Sequence, residues 1–248
     1  MTAQSKEMTT EGTAPWLRAL TDLAVPVLAV LTALAIGALV IWASGADVVA
    51  AYKGLLEGAL GSPRGITETL VLATPYTLAG LAVALGFRCG LFNIGAEGQF
   101  YMGALFSVYV AYALKGLPMF VHLPLALLAG ALGGALWGAI PGFLKARLGA
   151  HEVINTIMMN YIAVKTVDYL VKNPMRDATS TIPRTPFIEA SATLPQLLAP
   201  YRLHLGFVIA VVAIFVVYWF LWKTTFGFEI RTVGANPDAA QYLSLIHI

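Results

Sequence analysis

Charge is scarce in this sequence: 11% of its 248 residues are Asp, Glu, Lys or Arg, against 58% that are apolar, and a soluble domain of this length needs more charge to cover its surface. Neither sign dominates, since the formal net charge is +2, and this excludes the basic face that nucleic-acid binding requires. With a single cysteine, Cys89, no internal disulfide framework is possible. No GxxxxGK[ST] phosphate loop occurs, so any ATP that drives this protein must be bound by another chain. His151-Glu152 lacks the second histidine of a zinc-protease helix, because Asn155 stands four residues on. No other nucleophile, base and orienter arrangement is legible, which argues against an enzyme and against a metal or cofactor held by this chain. Residues 1–16 lack the short apolar core and small-residue cleavage site of a signal peptide, so residues 1–22 read as a cytoplasmic tail.

What the sequence has in quantity is long uncharged runs. Residues 23–46 form one, about 36 Å as a helix against a hydrocarbon core of about 30 Å. Residues 69–87, 120–144 and 205–222 form three more, the last closed by Trp219, Trp222 and Lys223 as an interfacial anchor. A fifth candidate span, 153–170, is weakened by two charges, Lys165 and Asp168, which either pair along an ion path or reach for the interface. The sixth, 100–114, gives about 22 Å of helix and is too short unless residues from Asn93 onward join it, which draws Asn93, Glu97 and Gln99 to membrane depth. The fold class is thus an all-α polytopic bundle of about six transmembrane segments over residues 23–222. Lysine and arginine divide seven against seven between the two sets of loops and leave the orientation open. Residues 171–204, with five prolines, read as an ordered external loop.

Polar residues concentrate in two places. Asn93, Glu97 and Tyr101 fall at i, i+4 and i+8 in helical register, with Gln99 beside them, and Glu152, Thr156 and Asn160 repeat the spacing where the fifth span begins. Carboxylate, carboxamide and hydroxyl groups at that depth either line a solute pathway or tie helices together. Gly130, Gly134, Gly138 and Gly142 make a ridge at spacing four along the fourth span, which lets another helix backbone approach closely.

The segments GLFNIGAEGQ (90–99), GAHEVINTIMMNYIA (149–163) and GFEIRTVGANPDAAQY (227–242), in this order, resemble the permease subunits of bacterial ABC importers for nucleosides and simple sugars, within the branched-chain amino acid and ribose permease superfamily. That resemblance implies a multi-pass protein of the bacterial cytoplasmic membrane, working with cytoplasmic ABC ATPase subunits, a second permease subunit and an extracytoplasmic substrate-binding protein. It also implies that residues 223–242 form a cytoplasmic coupling loop, whose contact with the ATPase is carried by Gly234, Ala235, Asn236, Pro237, Asp238, Ala239 and Ala240. Gly234 is expected to permit a turn, with Asn236 capping a short helix and Pro237 at its first position. A secondary transporter or channel for a small polar solute is the alternative function. The family pattern breaks off after Tyr242: LSLIHI (243–248) reads as adapter-derived sequence, and the chain as C-terminally truncated.

Overall fold

The computed structural model describes residues 15–242, with side chains from residue 24 onward; residues 1–14 of the expected tail and the adapter-like residues 243–248 lie outside the described residues. The described residues form nine α-helices, one short 3-10 helix and no strand beyond the isolated bridge Gln196–His204. Two compact units divide them, one ending at Ile66 and the other beginning at Thr67.

In the first unit, α1 (Pro15–Ala43) covers the first expected span except its last three residues, 44–46, and the last eight residues of the expected tail, 15–22, are helical. None of its apolar stretch Ala24–Ala43 is buried in the chain, as befits a helix with lipid for a solvent. Helix α2 (Val48–Leu60) lies outside the six expected spans. Asp47 caps it, accepting from the Val49 and Ala50 amides at 2.8 and 3.1 Å. The Tyr52 hydroxyl donates to the Leu34 carbonyl, an approach possible because Gly37 has no Cβ there.

Helix α3 (Pro63–Arg88) leads into the second unit, which continues with α4 (Ala96–Ala113), α5 (Met119–Leu148), α6 (Glu152–Lys172), α7 (Gly206–Lys223), α8 (Thr225–Ala235) and α9 (Pro237–Tyr242). Of the described helices, α1, α3, α5 and α7 are long and apolar enough to cross a membrane. The other two expected spans are α4 and α6, the helices that carry the polar residues, and the architecture is that of a polytopic helical membrane protein.

The expected helix from Asn93 does not form. Gly90 takes the left-handed conformation (φ 74°), the Leu91 amide donates back to the Gly86 carbonyl at 2.9 Å, and these close α3 with a Schellman turn. Residues 91–94 then run without helical structure, and α4 starts only at Ala96. At 18 residues it measures about 27 Å, so the missing length is filled by an irregular turn.

Helix α4 lies against α5 along the glycine ridge. A Cβ on Gly103 would stand 2.9 Å from the Gly130 carbonyl, and one on Gly134 would stand 3.2 Å from that of Gln99. Gly142 departs from this pattern, with nothing within 4 Å of its Cβ position. On the opposite side Met102 and Leu105 of α4 bury with Ala163 of α6 and Met175, and Trp137 donates its indole N–H to the Met159 carbonyl at 3.3 Å. Asp168 pairs with Lys172 at 2.7 Å rather than with Lys165, since four residues align the side chains on the helix better than three.

The connection from α6 to α7 is ordered. The Glu189 amide donates to the Ala111 carbonyl, and Ala192 packs on Ala111 and Ala126. His122 is fully buried beneath it. The Val110 carbonyl, 3.2 Å from Nε2, only accepts, so Nε2 donates to it, and Nδ1 stands 2.7 Å from the Ser191 hydroxyl. Replacing His122 with Ala removes both bonds and leaves the Ser191 hydroxyl without this partner, while the Val110 carbonyl keeps the Leu114 amide, and is expected to cost about 1–3 kcal/mol. Protease cleavage within residues 173–205 in sealed vesicles measures this; a cleavage rate equal to the parental one contradicts it.

Candidate functional site

The irregular turn between α3 and α4 is held in place by α6. Asn160 clamps it, its Oδ1 accepting from the Gly98 amide at 2.8 Å and its Nδ2 donating to the Ile94 carbonyl at 2.9 Å. Thr156, buried one turn earlier, donates its hydroxyl to the Glu152 carbonyl at 2.8 Å and accepts from the Ile94 amide at 3.3 Å. Within the turn Asn93 Oδ1 accepts from the Gly95 amide at 2.8 Å, an Asx turn that fixes the carboxamide. The side chains of Asn93 and Gln99 then face each other, both amide pairings at 3.4 Å.

Beside these groups lies a half-open cavity of about 90 Å³ lined by Gly86, Leu91, Phe92, Asn93, Gln99, Gly138, Pro141, Gly142, Glu152 and Thr156. Gly138 makes room for Gln99: a Cβ there would lie 3.1 Å from the amide nitrogen. The same side chain borders a second, open groove of about 420 Å³ between α3, α4 and α5, walled by small residues including Ala79, Ala82, Gly130 and Gly134. Gln99 is therefore the polar group common to both spaces.

Helical register fails as a guide to the first polar stripe. Asn93 precedes α4, while Glu97 and Tyr101 are exposed on another side of it. Glu97 borders an apolar groove with Leu72, Pro75, Tyr76 and Phe100, apart from the cavity. In the second stripe, which is helical throughout, Glu152 and Thr156 reach the cavity and Asn160 serves as the clamp. Gly142 lines the cavity as well, a role its spacing in the ridge did not reveal.

Glu152 stands at the α5–α6 turn, which closes on left-handed Gly149 (φ 63°) and brings Lys145 to 2.7 Å from the carboxylate. Its hydrogen bond to Lys145 holds the Glu152 carboxyl below the ordinary value of 4.5. A lowered value means that the stabilisation is fully present above about pH 4.5 and fades as pH falls through the shifted value. Because the lysine is more than a third exposed, the pair contributes no more than about 1 kcal/mol.

At the other end of the unit, Thr224 caps α8 by accepting from the Gly227 amide at 3.0 Å. Asn236 caps α9, accepting from the Ala239 amide at 3.0 Å, and Pro237 follows at the first helical position. Gly234 does not form a turn: it lies within α8, where its missing Cβ permits contact with the backbone of residues 88–90. Ala240 is fully buried against α8, whereas Asn236, Pro237, Asp238 and Ala239 are exposed.

Comparison with known proteins yields consistent relatives. The chain is 44% identical over 92% of its length to the guanosine ABC transporter permease protein NupP of Bacillus subtilis, covering 66% of that protein. It is 40% identical over 87% of its length to the glucose ABC transporter permease protein TsgB13 of Haloferax volcanii, covering 59% of it. To the nucleoside ABC transporter permease protein NupB of Lactococcus lactis it is 36% identical over 89% of its length, covering 63%. The chain thus spans about three-fifths to two-thirds of the length of these curated relatives. No solved structure matches it. Residues 65–245 match the model of the family described as branched-chain amino acid transport system / permease component, and the chain belongs to that family.

Proposed function

We propose that this chain is the permease subunit of an ABC importer of the bacterial cytoplasmic membrane, carrying nucleosides or simple sugars, with Gln99 at the narrowest part of the route. The observation that carries this reading is the Asn93–Gln99 carboxamide pair, set in a small cavity at a break between two helices and bordering an open groove. Irregular backbone at membrane depth persists where it lines a cavity or is buried in protein. Small-molecule sites measure about 300–1,000 Å³, so a cavity of about 90 Å³ has room for water and is too small for such a solute, while the groove of about 420 Å³ has the volume for one. Carboxamides donate and accept, matching ring hydroxyls, and guanosine, other nucleosides and glucose, named for the relatives, share a hydroxyl-bearing sugar ring. Asn93, Gln99, Glu152 and Thr156 line the constriction, Asn160 shapes it, and Glu97 and Tyr101 flank the route on the outer side of α4.

ATP is bound by separate cytoplasmic subunits, and a second permease and an extracytoplasmic binding protein complete the importer. The exposed residues Asn236, Pro237, Asp238 and Ala239, with Gly234, Ala235 and Ala240 supporting them, form the coupling segment on the cytoplasmic side, which also holds the N-terminus and residues 145–152. Uptake of radiolabelled guanosine into proteoliposomes holding the intact transporter tests the function. ATP-dependent uptake competed by other nucleosides or by glucose is expected; uptake driven by an ion gradient without ATP contradicts it. Asn236→Cys in a Cys89→Ser background should react with membrane-impermeant maleimide only from the cytoplasmic side, and labelling from outside alone overturns the orientation.

A further inference from the structure

We infer that the backbone contact of Gly234 with residues 88–90 is a rigid joint through which movement of α8 and α9 reaches the Asn93–Gln99 constriction. This rests on the functional reading above and adds the residues that link its two ends. A Cβ built on Gly234 would overlap the Arg88 carbonyl oxygen and stand 2.9 Å from the carbonyl carbons of both Arg88 and Cys89. From the other side, a Cβ on Gly90 would stand 3.3 Å from the Cα and the carbonyl oxygen of Gly234. Two backbones in such contact transmit displacement with no side chain between them to yield.

A second contact reinforces the first. The Trp222 ring at the end of α7 has the Arg231 guanidinium of α8 over it at 4.2 Å and that of Arg88 at 5.5 Å, so one indole joins the ends of α3 and α7 to α8. Arg231 also donates through Nε to the Gly227 carbonyl at 3.3 Å, which keeps its stem along α8. On the far side of the joint the path is short. Leu91 is tied to Gly86, both line the cavity, and Asn93 follows two residues later with its carboxamide on Gln99. A shift of α8 therefore has Gly90 as its first point of impact and the constriction as its next.

Cys89 is the chain's one cysteine, so a crosslink across the joint needs a single substitution. Val233→Cys in the intact transporter, bridged to Cys89 by a short reducible bis-thiol reagent, is expected to lower ATP-dependent guanosine uptake about tenfold, the scale of a typical coupling between sites, with hydrolysis by the assembled complex kept within about twofold. Reductant should restore uptake. Gly234→Ala, which forces the backbones apart, should lower uptake permanently. Crosslinked transporter that still imports at the parental rate overturns the joint, as does joint loss of uptake, hydrolysis and subunit assembly in Gly234→Ala without an effect of the crosslink. If the parental complex itself shows no ATP-dependent uptake, the functional reading falls and the joint with it; parental uptake with an insensitive crosslink removes the joint alone.

Discussion

Asn160→Ala is expected to lower the stability of the permease by about 2–4 kcal/mol, because it removes two hydrogen bonds and leaves the buried Gly98 amide and the Ile94 carbonyl without these partners. Those two groups belong to the segment that no helix satisfies, since residues 91–94 lie outside helical structure. Thr156→Val should cost less, about 1 kcal/mol, as it removes one long bond to the Ile94 amide and preserves shape. Asn160→Asp keeps the acceptor for Gly98 and loses the donor to Ile94, and should fall between the two. Thermal unfolding in detergent, followed by tryptophan fluorescence, gives the order directly. An Asn160→Ala protein that melts with the parental one would mean that the turn is held by other contacts.

Much of this architecture was legible because a bilayer leaves few alternatives. Uncharged runs long enough to span located α1, α3, α5 and α7, and the length deficit of residues 100–114 pointed to the segment ahead of α4 as part of the crossing. The segment joins as an irregular turn rather than as a helix from Asn93, in keeping with three glycines and an asparagine within residues 90–98, which are a turn signal. Helix α2 carried a readable start in Asp47 but no span to draw attention to it, and α8 had the same signature in Thr224. Other features were beyond local reasoning. That Gln99 faces Gly138, that Trp222 joins Arg88 and Arg231, and that Gly234 meets residues 88–90 are contacts between segments far apart in sequence, and spacing along one helix carries no information about them.

Position relative to the cavity, rather than charge, should decide which polar residue of α4 matters most for transport. Gln99→Met keeps an unbranched side chain of similar length over Gly138 but removes the carboxamide, and with it the pairing to Asn93 and the only polar side chain bordering the open groove. Two hydrogen bonds to a passing solute, at about 1–1.5 kcal/mol each, correspond to a loss of uptake of about 30- to 150-fold. Glu97→Gln, two residues earlier and exposed beside Leu72, Pro75, Tyr76 and Phe100, should cost less, because its carboxylate does not line the constriction. Asn93→Ala should resemble Gln99→Met, since it loses the same pair along with the Asx turn that orients it. Initial rates of guanosine uptake, normalised to permease assembled with its ATPase, separate these effects from folding. A Gln99→Met transporter as fast as the parental one, or a Glu97→Gln transporter slower than Gln99→Met, would move the route from the Asn93–Gln99 constriction to the outer face of α4.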